Sequence, residues 1–142
     1  MAKPKSKSSF IVGHYIKLPL ENKHSPFKSE AFRKVSNNAK LIFNLIHYGY
    51  NGFNNGALTA GYDSFKRLYG LSISKATFYK CIKELMDYDL LFRIVKGKKG
   101  VASRYAVSSY AIDDVDYLKY STEYTKGSKA ITKYLRHEIK SI

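Results

Sequence analysis

Lysines, a tyrosine, a phenylalanine and the chain's only cysteine crowd into "GLSISKATFYKCIKEL", residues 70–85. At 100° per residue on a helix, Phe78, Cys81, Ile82, Leu85 and Met86 share one apolar sector. Ala76, Lys80, Lys83 and Asp87 cluster on the opposite side, with Tyr79 at its margin. The apolar residues read as the helix's hold on a core, and Cys81 as a small core residue rather than a redox sensor. The lysines are then a presented surface, and the chemistry open to such a surface is recognition of a polyanion. Signals for catalysis are scarce by comparison. His14, His24, His47 and His137 are scattered, without the His-Glu-x-x-His or Cys-x-x-Cys spacing of a metal site. Asp113, Asp114 and Asp116 have no partner ligands nearby and read as a solvated cluster. "GKKG" (97–100) lacks the glycine frame of a phosphate loop. The expectation is a non-enzyme with no metal, no cofactor and no evident small-molecule ligand.

The bulk composition agrees with a polyanion-binding role. Lys plus Arg exceed Asp plus Glu by 25 to 11, a net charge of +14 on 142 residues. That excess repels itself unless an anionic partner sits close, with nucleic acid the first candidate and an anionic membrane surface the second. Apolar residues make up 44% of the chain, enough for one domain with a real core. Apolar runs are too short to span a bilayer. The start, "MAKPKSKSSFIVGHYIKLPL", is interrupted by Gly13, His14 and Lys17 and does not read as an export signal. A single cysteine cannot close an internal disulfide, which fits a reducing compartment. The expected location is cytoplasmic and nucleoid-associated, with no membrane partner.

Several elements must position the lysine face. Residues 1–9, with Lys3, Lys5 and Lys7, read as a flexible basic arm: a solubilising tail, or an arm for phosphates and the minor groove. A short helix is expected near Ser29 with Phe32 and Val35 inward, and a longer one after a cap at Ser36 or Asn37. Leu41, Ile42, Leu45 and Ile46 give that longer helix its buried face. "GYNGFNNG" ends it, and "ALTA" (57–60) reads as a short extended piece. A helix over 62–69 follows, with Phe65 and Leu68 inward and Gly70 as its stop. Ser74 then caps a helix running to about Tyr88. "LLFRIVK" and "VASRYAVSSYAI" around a glycine-bounded turn read as a β-hairpin. It carries Arg93, Lys96, Lys98, Lys99 and Arg104, with no acid between 90 and 112. Residues 113–127 read as a polar linker and 128–142 as an amphipathic helix. The stripe Ile131, Leu135, Ile139, Ile142 on that helix is expected either to dock on its own domain or to form a homodimer.

Helix, helix, tight turn, helix and basic hairpin is the order of a winged helix-turn-helix, a mainly α fold with a β-hairpin wing (α+β). A single helix fits the B-DNA major groove, and a hairpin wing reaches the flanking backbone. "YDSFKRLYGLSISKATFYKCIKELMDYDLL" resembles the core of the bacterial winged-helix family, with its Leu-Gly helix end, "I-S-x-x-T" turn and "K-E-L". The run "NNGALTAGYDSFKRLYGLSISKATFYKCIKEL" is similar to small winged-helix proteins of prophages and plasmids, and the resemblance spans residues 10–112. It implies a supporting helix at 62–69, a recognition helix at 75–88 and a wing at 91–112. Base-edge contacts would then come from Lys75, Ala76, Tyr79, Lys80 and Lys83, and Thr77 would bond a phosphate or pack near the turn. Lys98 and Lys99 would meet phosphates or simply keep the hairpin edge soluble. The helix has no Arg, the usual reader of guanine, so no base preference carries over. The implied role is a double-stranded DNA-binding regulator or replication-associated factor of a mobile element. Alternatives are a protein-interaction module in a replication or conjugation assembly, and an RNA-binding protein.

Overall fold

A computed structural model describes Leu18 and residues 25–138. Serine hydroxyls start three of its four α-helices, each satisfying a backbone N–H that the first turn leaves free. Ser29 Oγ accepts from Phe32 N–H (3.1 Å) at α1, Glu30–Lys34. Ser36 Oγ accepts from Ala39 N–H (3.2 Å) at α2, Asn37–His47. Helix α3, Tyr62–Tyr69, starts at Gly61 without a side-chain cap and stops at Gly70, whose φ of 67° is left-handed. Ser74 Oγ accepts from Thr77 N–H (3.1 Å) at α4, Lys75–Asp87.

Helix α2 lies along α4, and Ala39, Ile42, Phe43 and Ile46 meet Phe78, Cys81, Ile82 and Leu85 in the main core. Phe43, Phe78 and Leu85 are fully buried. Each such side chain contributes about 1.5–3 kcal/mol through lost apolar hydration. A 3₁₀ turn at Pro26–Lys28 brings Phe27 against Phe43 and His47, closing the aromatic end of this core. Helix α3 reaches the core chiefly through Phe65, which stands edge-on to Phe78 (centroids 5.5 Å apart).

Two residues expected inward are exposed. Leu68 faces outward because so short a helix buries only Phe65 where it crosses α4. Leu41 faces outward because the buried sector of α2 is centred on Ile42, Phe43 and Ile46, one step round the helix.

After α4 the chain turns through Asp89, a non-glycine residue with φ of 62°, into β1, Leu91–Val95. Strand β2, Arg104–Val107, pairs with it antiparallel, with a register irregularity between Arg93 and Val95. Leu58 bridges the free side of β2 by exchanging hydrogen bonds with Tyr105 (3.0 and 2.7 Å), so the expected extended piece at 57–60 extends the hairpin's sheet. The tip is folded back on itself: Lys98 and Val101 exchange backbone bonds of 2.9 and 2.7 Å. Gly97 permits that approach, since a Cβ there would stand 2.4 Å from the Val101 carbonyl oxygen. The architecture is mixed, helices plus a two-stranded antiparallel hairpin, compatible with the α+β class.

The end of the described chain corrects the expected organisation. Residues 113–127 do not span as a linker: a 3₁₀ helix at Asp116–Tyr120 packs on β1. Phe92, Ile94, Ala106, Ile112 and Ala130 form a second core cluster, edged by Tyr117, Leu118, Tyr124 and Ile131. Tyrosine rings supply the apolar area that the acidic composition of this segment conceals. Ala130–His137, within the span expected to form an amphipathic helix, is helical and of the 3₁₀ kind. Its three-residue turn puts Ile131 and Tyr134 on one ridge; Tyr134 is buried and Leu135 packs on the main core. The described members of the expected dimer stripe, Ile131 and Leu135, are thus used inside the molecule, while Ile139 and Ile142 lie outside the described residues.

Two polar clamps tie these pieces together. Asp89 accepts from Arg136 Nε (2.6 Å) and His137 Nε2 (2.9 Å), holding the last 3₁₀ helix to the α4–β1 turn. Asn55, fully buried, donates from Nδ2 to the carbonyls of Val107 (3.0 Å), Tyr110 (2.8 Å) and Ala111 (3.1 Å). Its Oδ1 accepts from Val107 N–H (2.8 Å), and its own N–H donates to Asp113 (2.8 Å). Every polar atom of that amide oxygen and nitrogen is therefore engaged, as burial demands.

Candidate nucleic-acid interface

Helix α4 presents the face expected of it. Lys75, Ala76, Tyr79, Lys80 and Lys83 are exposed, and Phe78, Cys81, Ile82 and Leu85 are buried beneath them. Thr77 is half-buried; its hydroxyl accepts from the Ser74 hydroxyl (3.0 Å), so it is part of the cap before it is a contact for anything else. Tyr79 is fixed rather than free, its hydroxyl accepting from the Tyr62 N–H at the start of α3 (3.2 Å). Tyr62 in turn donates its hydroxyl to the Ile73 carbonyl (2.9 Å), so two tyrosines pin α3, the turn and α4 together.

The acids on α4 decide which lysines keep their field. Asp87 pairs with Lys83 (3.0 Å) across one helical turn, on an exposed surface where such a pair is weak. Glu84 is turned away from the lysines to the start of α2, accepting from the Ser36 N–H (2.8 Å) and hydroxyl (2.9 Å). Among the described residues no ion pair engages Lys75 or Lys80. A groove of about 620 Å³ between the start of α2 and α4 is lined by Ser36, Asn38, Thr77, Lys80, Lys83 and Glu84. The Cys81 thiol at its floor is pushed up in pKa by burial, with the Ser36 hydroxyl 3.9 Å away opposing that shift. That is an inert thiol, in keeping with its place in the core.

The hairpin adds a second basic element. Arg93 and Tyr105 are cross-strand partners and share one face, the one turned toward Tyr79. A cleft of about 290 Å³ there is lined by Thr59, Gly61, Ser64, Tyr79, Ser103 and Tyr105. Burial raises the Tyr105 pKa, while hydrogen bonding from Ser103 and the Arg93 charge work against the rise. Arg93, Lys96, Lys98 and Lys99 are exposed and, among the described residues, have no carboxylate partner.

Arg104 departs from this set. It is half-buried, donates to the Ala57 carbonyl (3.2 Å) and lies over the Tyr117 ring (4.6 Å). Successive residues of a strand face opposite ways, so Tyr105 on the cleft face sends Arg104 to the other. These contacts pack it against the 3₁₀ helix at 116–120 and set it apart from the exposed cations of the hairpin. Lys3, Lys5 and Lys7 lie outside the described residues. The sequence reading did not single out Lys66 and Arg67, exposed on α3 away from buried Phe65. Their signal was available: both sit one or two positions after the single buried anchor of a short amphipathic helix.

Among the described residues no group of His, Cys, Asp and Glu is arranged to hold a metal, and no helix is long and apolar enough to cross a membrane. No family model, no curated protein and no solved structure matches this chain.

Proposed function

We propose that this chain is a double-stranded DNA-binding protein of the winged helix-turn-helix kind, with α4 in the major groove and the hairpin as a wing on the phosphate backbone. The observation that carries the reading is the exposed face of α4, where Lys75 and Lys80 keep uncompensated charge beside the fixed ring of Tyr79. The basic hairpin tip gives the same polyanion a second hold. Binding is site-specific in this reading, as for a regulator or replication-associated factor of a mobile element, with no catalytic step.

The test is a mobility-shift titration on duplex DNA, first with a random pool and then with the sequences selected from it. With Lys75, Lys80, Arg93, Lys96, Lys98 and Lys99 on phosphates, affinity falls about 10³-fold between about 50 and 200 mM salt. The double variant Lys75→Ala/Lys80→Ala loses at least about tenfold in affinity, corresponding to about 1.4 kcal/mol, and keeps the wild-type melting temperature. Unchanged affinity in that variant sinks the assignment of α4. Single-stranded RNA competing better than duplex DNA replaces the reading with RNA binding.

A further inference from the structure

The outward residues of α4 are Lys75, Ala76, Tyr79, Lys80 and Lys83, and the helix contains no arginine, asparagine or glutamine. The two-pronged amide that pairs with adenine is therefore missing from this face. Carboxylates are kept out of it as well. Glu84 is engaged with the Ser36 N–H (2.8 Å) and hydroxyl (2.9 Å) at the start of α2. Asp87 closes the helix about 16 Å along the axis from Ala76 and holds Lys83 (3.0 Å). What the first two turns present is a set of ammonium groups, which only donate, around an apolar step made by Ala76 and the Tyr79 ring.

The fold fixes that step. Ala76 and Tyr79 are three residues apart and so are neighbours on the helix surface. Ala76 is exposed, and Tyr79 is 43% exposed. The Tyr79 hydroxyl is tied to the Tyr62 N–H (3.2 Å), and its ring stands edge-on to Phe78 (centroids 5.0 Å apart). A ring held in this way presents a shape as well as a charge pattern. Lys80 follows Tyr79 and stands one turn beyond Ala76, bordering the same step.

The four bases differ in what they show in the major groove. Adenine and cytosine show an amino group, guanine two acceptors, and thymine the acceptor O4 beside a 5-methyl group. An amino group set against lysines meets a donor with a donor. Guanine accepts from a lysine but has no methyl to lay on the apolar step. Thymine suits both parts, since its methyl covers apolar carbon and its O4 accepts from an ammonium group. 5-Methylcytosine carries the same methyl with an amino group in place of O4, and suits only one part.

Resting on the DNA reading above, we propose that α4 reads thymine, with the 5-methyl group against Ala76 and the Tyr79 ring and O4 facing the flanking ammonium groups.

The test uses the full chain and a duplex site selected from random sequence. Each thymine of that site is replaced singly by deoxyuridine, which lacks only the methyl. At one or two positions the wild type is expected to lose about fourfold in affinity, the contribution of one buried methyl. 5-Methylcytosine at the same position is expected to lose at least as much. In Ala76→Gly and Tyr79→Ala the affinity ratio between thymine and deoxyuridine duplexes is expected to fall toward one. A merely structural role lowers both affinities together and leaves that ratio unchanged. Melting temperatures show whether each variant is folded, and Ala76→Gly, which keeps the Tyr79 anchor, carries the test if Tyr79→Ala does not fold. Deoxyuridine bound as tightly as thymine at every position overturns the proposal. So does a ratio unchanged in the folded variants, or 5-methylcytosine bound as tightly as thymine. A chain that binds no duplex removes the DNA reading itself, whereas one that binds duplex but ignores the methyl removes only this inference.

Discussion

His47 makes the fold sensitive to mild acid. The ring is buried at the end of α2 among Phe27, Phe43 and Tyr110. Nδ1 lies 2.7 Å from the Phe43 carbonyl, which can only accept, so Nδ1 carries the proton of the neutral ring. Nε2 then accepts from the Ser109 hydroxyl at 2.6 Å. Burial lowers the pKa from 6.5 to about 4, with the Phe43 hydrogen bond opposing the shift. The unfolded chain therefore takes up a proton below pH 6.5 that the folded chain refuses until about pH 4. Stability contributed by the neutral ring is complete above the unfolded value and is lost as pH falls through this window. By proton linkage the loss is about 2 kcal/mol between about pH 8 and 5, approaching about 3 kcal/mol by pH 4. Urea unfolding across that range, in wild type and in His47→Phe and His47→Gln, isolates the contribution, because the carboxylates are common to all three. The variants are expected to show a slope shallower by that amount, and the His47 ring resonances of wild type are expected to stay unshifted from pH 7.5 to about 5. Equal slopes in all three proteins, or a ring that titrates near its ordinary value, would refute the reasoning.

Asn55→Ala strips partners from three carbonyls and the Val107 N–H at a fully buried position. At about 1 kcal/mol per bond, with the orphaned groups costing more, the expected loss is about 3–5 kcal/mol in denaturant unfolding; a loss under about 1 kcal/mol would mean that water replaces the amide. Gly97→Ala forces the hairpin tip open, since its Cβ would stand 2.4 Å from the Val101 oxygen and 2.5 Å from the Ser103 nitrogen. A loss of about 1–3 kcal/mol is expected, and the proposed DNA-binding function adds the expectation of weaker binding to duplex DNA. An unchanged melting temperature would show that the tip relaxes freely.

The sequence was most legible where the code is local. Ser29, Ser36 and Ser74 announce helix starts because the cap and its N–H lie three residues apart. The outward face of α4 followed from periodicity alone. Leu41 and Leu68 were misread because periodicity gives an apolar sector but not its centre, which the neighbouring helix chooses. Counting basic residues along the hairpin did not reveal that strand alternation separates Arg104 from Tyr105 by face. The segment after 112 was hidden for another reason. Part of its core contribution comes from Tyr117, Tyr124 and Tyr134, residues whose rings pack while their composition reads as polar.

The clamp at Asp89 has an entropic consequence for any ligand that touches both α4 and the hairpin. A two-element grip joined by a loose turn has to be ordered at the moment of contact, at about 0.5–1.5 kcal/mol for each side chain immobilised. Here the turn between the two elements is already held by Arg136 and His137, and the end of β2 that pairs beside it by Asn55. For such a ligand the ordering cost is met when the chain folds, through residues of the segment after 112.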